Sequence, residues 1–191
     1  MFLKKRNKKK VMSLEKDKMV MTKESYLVED KIIVDDSTLK GWLVEKGFGE
    51  NKTRNLVLDL YEGLFLLLND KIEIVNRNKK IKAKELLELG LKKDKNFYSK
   101  SLVYSDIREK GYQIKTGLKF GFDFRIYPKG KKMGQTHSKY GLNVYSETEK
   151  LSMTQISRLT RLAGNIHIQT VLAIVDRENS INYYTTNREL L

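Results

Sequence analysis

The chain of 191 residues contains no cysteine, one proline, one tryptophan and only two histidines, His137 and His167. The missing thiols exclude disulfides and thiolate metal sites, and they suit a reducing compartment. With so few imidazoles, a structural zinc site is left without a ligand set. Long hydrophobic runs are also missing. The most apolar window, residues 56–68, is interrupted by Asp59 and Glu62 and is too short to span a bilayer. The opening segment MFLKKRNKKK is charged but lacks the apolar stretch of a secretory signal. Phosphate-binding loops of the Walker type, a Rossmann glycine fingerprint, a nucleophile elbow and a metal-ligand cluster are absent as well.

What the chain has in excess is positive charge. There are 38 Lys and Arg against 24 Asp and Glu, a net charge of +14. This balance favours a polyanionic partner, because each neutralised phosphate releases counterions and adds affinity independent of sequence. At 40% hydrophobic and 32% charged, the composition is otherwise that of an ordinary globular protein. The length suffices for one substantial core or two small ones.

Residues 1–24 read as a basic, disordered tail that adds diffuse phosphate contacts, or as a segment preceding a later start at Met12, Met19 or Met21. Residues 26–34 are expected to form two short strands around a Glu29-Asp30 turn. Asp35, Asp36 and Ser37 offer caps for a short helix ending near Gly47, and Gly47, Gly49 and Asn51 mark a loop. Residues 56–68 are apolar nearly all round, as in a helix buried on most sides. A strand at 71–75, a turn at 76–80 and an amphipathic helix at 83–91 ending at Gly90 complete an N-terminal α+β domain, residues 25–92.

The charged run at 92–96 breaks the chain, and Asn96 offers the cap of a helix over 97–110 with Gly111 just beyond it. Strands are expected near 112–116 and 122–127, followed by a polar loop at 129–139, a strand at 140–145 and an acidic turn. Ser152 caps a helix to about Gly164, with Met153, Ile156, Leu159 and Ala163 inward. Arg158, Arg161 and Asn165 share another of its faces. Thr170-Val-Leu-Ala-Ile-Val175 reads as a strand buried on both faces, turning into a last strand at 181–185. Residues 96–191 thus form a second domain of mixed α/β character with a mainly antiparallel sheet, and the chain as a whole is α+β.

Chemistry concentrates in the stretch YQIKTGLKFGFDFRIY, which ends at Tyr127, ten residues before His137. Asp123 has no carboxylate companion in its strand, which disfavours a metal nuclease. An ion pair with Arg125 or Lys115 is expected for it instead. Tyr127, His137 and the cations around them suit cleavage of RNA by its own 2′-hydroxyl. A base removes the 2′-OH proton, an acid protonates the departing 5′-oxygen and a cation stabilises the phosphorane charge. A histidine titrates near neutrality and suits the acid; a tyrosine needs neighbouring positive charge to serve as the base. Spacing alone leaves this only suggestive, since a lone loop histidine is more often a solvated residue.

The run LVYSDIREKGYQIKTGLKFGFDFRIY from Leu102 to Tyr127, followed by His137-Ser-Lys-Tyr140, closely resembles the catalytic domain of archaeal tRNA-splicing endonucleases (tRNA-intron lyases). Their pattern reads Y-x-D-L-R-x-R-G-Y-x-V-K-T-G-L-K-[YF]-G-x-D-F-R-[LV]-Y and then H-S-x-Y. The resemblance continues through residues 156–163 and 172–176 to Tyr183-Tyr184, strongly over 97–185 and more loosely over 25–91. It implies a metal-independent endonuclease, needing no cofactor, that excises introns from precursor tRNA at a bulge-helix-bulge. The expected ends are a 2′,3′-cyclic phosphate and a 5′-hydroxyl. The resemblance puts the general base on Tyr127, the general acid on His137 and a base-sandwiching arginine on Arg161, with Arg158 as a further RNA contact. It also implies self-association, as a homotetramer or with a homologous subunit. Glu147 and Glu149 are then the nearest candidates for an acidic loop that enters a basic cleft of a neighbour. A cytoplasmic protein without membrane attachment is expected.

One position departs from the pattern. The third catalytic residue of the family is a lysine in a V-R-K-x-L context, and counting without a gap from Arg161 puts it at Ile168. No lysine or arginine occurs from Leu162 to Asp176. Three readings follow. The chain is a structural subunit of a heteromeric enzyme; or His167 or a cation from another element supplies the charge at a slower rate; or a local shift brings His167 to the site. Retention of Tyr127 and His137, with both domains, favours an active enzyme. Losing an electrostatic stabiliser typically costs roughly a hundred- to a thousandfold in rate, so activity can survive.

Overall fold

A computed structural model describes residues 24–52, 54–131, 134 and 136–189. The expected basic tail, apart from Glu24, and the alternative starts lie outside the described residues. The chain divides into two compact units between Lys95 and Asn96. Both mix helices with mainly antiparallel sheet, as the α+β reading of the sequence requires.

The first unit is built on a six-stranded sheet in the order β3-β4-β2-β1-β5-β6. Its strands are β1 (Glu24–Val28), β2 (Lys31–Val34), β3 (Glu50–Lys52), β4 (Asn55–Leu58), β5 (Glu73–Asn76) and β6 (Lys79–Lys80). Among the described residues, three helices accompany them: α1 (Ser37–Glu45), α2 (Leu60–Leu68) and α3 (Ala83–Lys93). The expected helix over 56–68 is corrected here. Residues 55–58 pair with both β2 and β3, so their apolar character fills a central strand. The helix starts only after Asp59, whose carboxylate accepts the Glu62 N–H at 2.8 Å while Glu62 accepts the Asp59 N–H at 3.1 Å. That reciprocal cap explains the two acidic residues inside the apolar window. The loop expected around Gly49 and Asn51 is likewise a strand in part, and Gly90 lies inside α3 rather than ending it.

The second unit has a five-stranded sheet in the order β11-β10-β9-β8-β7. The strands are β7 (Gln113–Thr116), β8 (Phe124–Tyr127), β9 (Tyr140–Ser146), β10 (Gln169–Val175) and β11 (Ile181–Thr186). Only β9 and β10 run parallel. One face is covered by α4 (Phe97–Glu109), whose Tyr104 ring meets Phe124 with centroids 6.0 Å apart. On the other, α5 (Met153–Asn165) lies against β10, where the Thr170 hydroxyl donates to the Leu159 carbonyl at 3.4 Å. Ser152 caps α5 as expected, in a box closed by Gln155. Met153, expected inward, is 75% exposed: it occupies the first turn, before the helix meets the sheet.

Candidate active site

Tyr127, His137 and the 168 position come from three chain segments that reach the same end of the second sheet. Strand β8 arrives there and stops at Tyr127, while β9 and β10 both depart from it. The register pairs Ile126 with Tyr140 and Tyr140 with Gln169. One step further out, the Lys139 N–H donates to the Ile126 carbonyl at 2.8 Å and the Gln169 N–H donates to the Lys139 carbonyl at 3.0 Å. Tyr127, Lys139 and Ile168 therefore occupy one row across three strand ends. His137 lies two residues before Lys139 in the incoming chain.

Exposure differs sharply among these side chains. Tyr127 is 3% exposed. His137 is exposed, as are Arg158, Arg161 and His167 on and just after α5, and Ile168 is partly buried. His167 has φ 55°, the left-handed conformation, and its N–H donates to the Gly164 carbonyl at 3.2 Å. The Ile168 N–H then returns to the Ala163 carbonyl at 3.0 Å. This closed turn delivers Ile168, not His167, to the row containing Tyr127.

Asp123 is held differently from the expectation. Its carboxylate takes the Lys100 ammonium of α4 at 2.6 Å and the Val144 N–H at 2.9 Å. Both Lys100 and Asp123 are 14% exposed at the side chain, so this is a nearly buried pair tying helix to sheet. The choice of Arg125 or Lys115 missed Lys100 because a helix partner across the core leaves no trace in strand spacing. Freed of that role, the Arg125 guanidinium stacks over the Phe120 ring at 4.3 Å and lies 6.0 Å from the Tyr127 ring centroid. Further cations stand close by in the fold: Lys129 over Tyr112 at 4.8 Å and Lys139 over Tyr140 at 5.3 Å. Neither Arg125 nor Lys139 had been singled out as a site residue. The signal for Arg125 was its i, i+2 spacing from Tyr127, which puts both on one face of β8.

Among the described residues, no group of three His, Cys, Asp or Glu side chains gathers as a metal-ligand set, and no helix is long and apolar enough to cross a membrane. Glu147, one of the two acidic-loop candidates, faces Arg177 of its own chain at 3.4 Å.

Comparison with known proteins decides the family. Residues 97–183 match the family model described as tRNA intron endonuclease, catalytic C-terminal domain, and residues 23–87 match that of the tRNA intron endonuclease N-terminal domain. The chain belongs to the tRNA intron endonuclease family. The tRNA-splicing endonuclease of Thermococcus gammatolerans is 34% identical over 160 residues, covering 83% of this chain and 94% of the relative. That of Methanococcus maripaludis is 33% identical over 159 residues, covering 83% and 89%. That of Thermococcus onnurineus reaches 38% over 137 residues, covering 72% and 78%. Within this endonuclease family, the second unit described above corresponds to the catalytic C-terminal domain. The segments that carry the sequence-selected residues all lie inside it.

Proposed function

We propose that this protein is a cytoplasmic tRNA-splicing endonuclease that cuts precursor tRNA at bulge-helix-bulge sites, without a metal ion or cofactor. The observation that carries the reading is the convergence of Tyr127, His137 and the 168 position at one end of the catalytic sheet, on three separate segments.

In this mechanism the Tyr127 phenolate takes the proton of the 2′-hydroxyl at the cleavage site. The 2′-oxygen bonds to phosphorus and the bond from phosphorus to the 5′-oxygen breaks. The His137 imidazolium gives its proton to that oxygen. The products are a 2′,3′-cyclic phosphate and a 5′-hydroxyl, with no net gain or loss of electrons. Two positioned proton-transfer groups each contribute roughly a hundred- to ten-thousandfold. Arg161, exposed one turn before the end of α5, stacks on an extruded bulge base, with Arg158 one turn earlier on the RNA backbone. The chain self-associates, as a homotetramer in which both kinds of domain recur in every copy.

The test is incubation of the purified chain alone with a bulge-helix-bulge RNA in EDTA. Cleavage to cyclic-phosphate ends is expected. Loss of cleavage on chelation overturns the metal-free mechanism. Ile168, apolar where the family pattern has lysine, favours a second reading, a structural subunit that requires a catalytic homologue. That reading is supported if cleavage appears only after a second homologous subunit is added.

A further inference from the structure

The geometry points to Arg125 as the catalytic cation of this centre, contacting the scissile phosphate and doing the work that the family pattern assigns to a lysine at position 168. The inference rests on the endonuclease reading above and names the residue that completes it.

Three observations meet at this side chain. Arg125 is partly buried, and its Nε is wholly enclosed yet has no hydrogen-bond partner among the described residues. A guanidinium removed from water normally finds a carboxylate or carbonyl, because an unpaired buried charge is costly. Its guanidinium lies against the faces of Phe120, at 4.3 Å, and Tyr127, at 6.0 Å. The nearby carboxylate, Asp123, is already taken by Lys100 at 2.6 Å. The enclosed Nε is thus a donor for which the described residues supply no acceptor.

The second observation is the row around it. Arg125 stands opposite Gly141 on β9, which stands opposite Thr170 on β10. On its other side the same row holds the buried Lys115 of β7, and the Phe122 ring covers Gly141, so the guanidinium is bordered by a second cation and an aromatic ring. The third is the neighbour: Tyr127 lies two residues on, on the same face of β8, so one cation serves both reacting partners. It stabilises the phenolate that must accept the 2′-OH proton, and it stabilises the charge that grows on the phosphorane oxygens. Arginine suits the second task because its planar fork matches two phosphate oxygens at once.

The test uses the full-length protein and a bulge-helix-bulge RNA. Arg125→Met keeps the stem that packs on Phe120 and removes the charge. Expected is a hundred- to thousandfold fall in kcat, a KM within about threefold of the parent, and an acid limb of the pH–rate profile displaced to higher pH as Tyr127 loses its cation. Arg125→Lys recovers at least tenfold of that loss. Adding Ile168→Lys to Arg125→Met also recovers at least tenfold, since the row position of Ile168 faces the same centre. A folded Arg125→Met variant, with unchanged circular dichroism, that turns over normally overturns the inference. So does a Lys139→Met variant that shows the whole loss in its place. If the wild-type chain does not cleave by itself, the endonuclease reading is what fails, and Arg125 is then judged by binding. The ¹⁵N resonance of its Nε is followed while a bulge-helix-bulge RNA with a 2′-deoxy cleavage site is added. A specific shift, abolished by a neutral methylphosphonate at the scissile position, supports contact with that phosphate; an unmoved resonance refutes it.

Discussion

The Gln169 N–H donates to the carbonyl of Lys139 at 3.0 Å, while the Lys139 N–H donates to Ile126 at 2.8 Å. Lys139 is thereby clamped through its backbone between the ends of β8 and β10. The separation of Tyr127 from the 168 position is set by this ladder, not by side chains. The ladder does not involve the side chain at 168, so an isoleucine there is compatible with this backbone arrangement. That separates two questions that the sequence had joined: whether the site is assembled, and which residue supplies its cation.

His137 enters β9 from the exposed side of this clamp and is bound by none of its hydrogen bonds. His137→Ala should lower kcat by roughly a hundred- to ten-thousandfold, the contribution of one positioned acid. The affinity for precursor RNA, set mainly by phosphate contacts, should change little. Single-turnover cleavage and filter binding on the same preparation separate the two. Equal losses in both would assign His137 to binding.

Arg161 is exposed on α5, one helical turn before the chain leaves for Ile168. Stacking on a splayed base is worth about 1–3 kcal/mol by alanine substitution. Arg161→Ala should therefore weaken productive binding by roughly ten- to a hundredfold, with a smaller effect on an RNA lacking the bulge. Unchanged affinity for the bulged substrate removes Arg161 from the interface.

Much of the second unit was legible in the sequence because its elements are punctuated. Ser152 and Gln155 announce the start of α5, Gly111 the end of α4, and the alternation of residues 112–127 the strands that present Tyr127. The first unit was harder. Residues 56–68 read as one helix because a central strand and the helix following it are both apolar all round, and periodicity cannot divide them. Asp59 was the dividing signal, as a cap, and the sequence reading treated it as an interruption. The partner of Asp123 was hidden for another reason: Lys100 reaches it across the core from α4.

Gly141 lies in the row of Arg125, and the Phe122 ring fills the space where its side chain would be: a Cβ built there falls 2.8 Å from three ring carbons. Gly141→Ala must push back an aromatic ring that is itself 1% exposed. A destabilisation of about 1–3 kcal/mol is expected, as for other overpacked cores, read as a lower midpoint in denaturant unfolding. Phe122→Leu introduced into the Gly141→Ala variant should restore part of it. A Gly141→Ala protein as stable as the parent shows that the ring has room to move.

Tyr183 of β11 donates its hydroxyl to the Asp106 carboxylate of α4 at 2.5 Å, and Lys110 both pairs with that carboxylate at 2.5 Å and lies 4.7 Å from the tyrosine ring centroid. Burial, and then the carboxylate accepting its proton, push the Tyr183 phenol far above the ordinary tyrosine value. The sign of the pH effect follows. Below about pH 10 the tyrosine is neutral in both the folded and the unfolded chain, and its contribution is present in full. Above that pH the unfolded chain releases the proton while the folded one retains it, so stability falls as pH rises. Tyr183→Phe removes the titrating group together with the hydrogen bond, worth about 1.5–3 kcal/mol when the acceptor is charged. The wild-type advantage over Tyr183→Phe should thus be constant from about pH 7 to 9 and shrink steadily above about pH 10. Guanidinium unfolding of both proteins across that range measures it, and a difference that stays level to about pH 12 would mean that the hydroxyl ionises freely in the folded state.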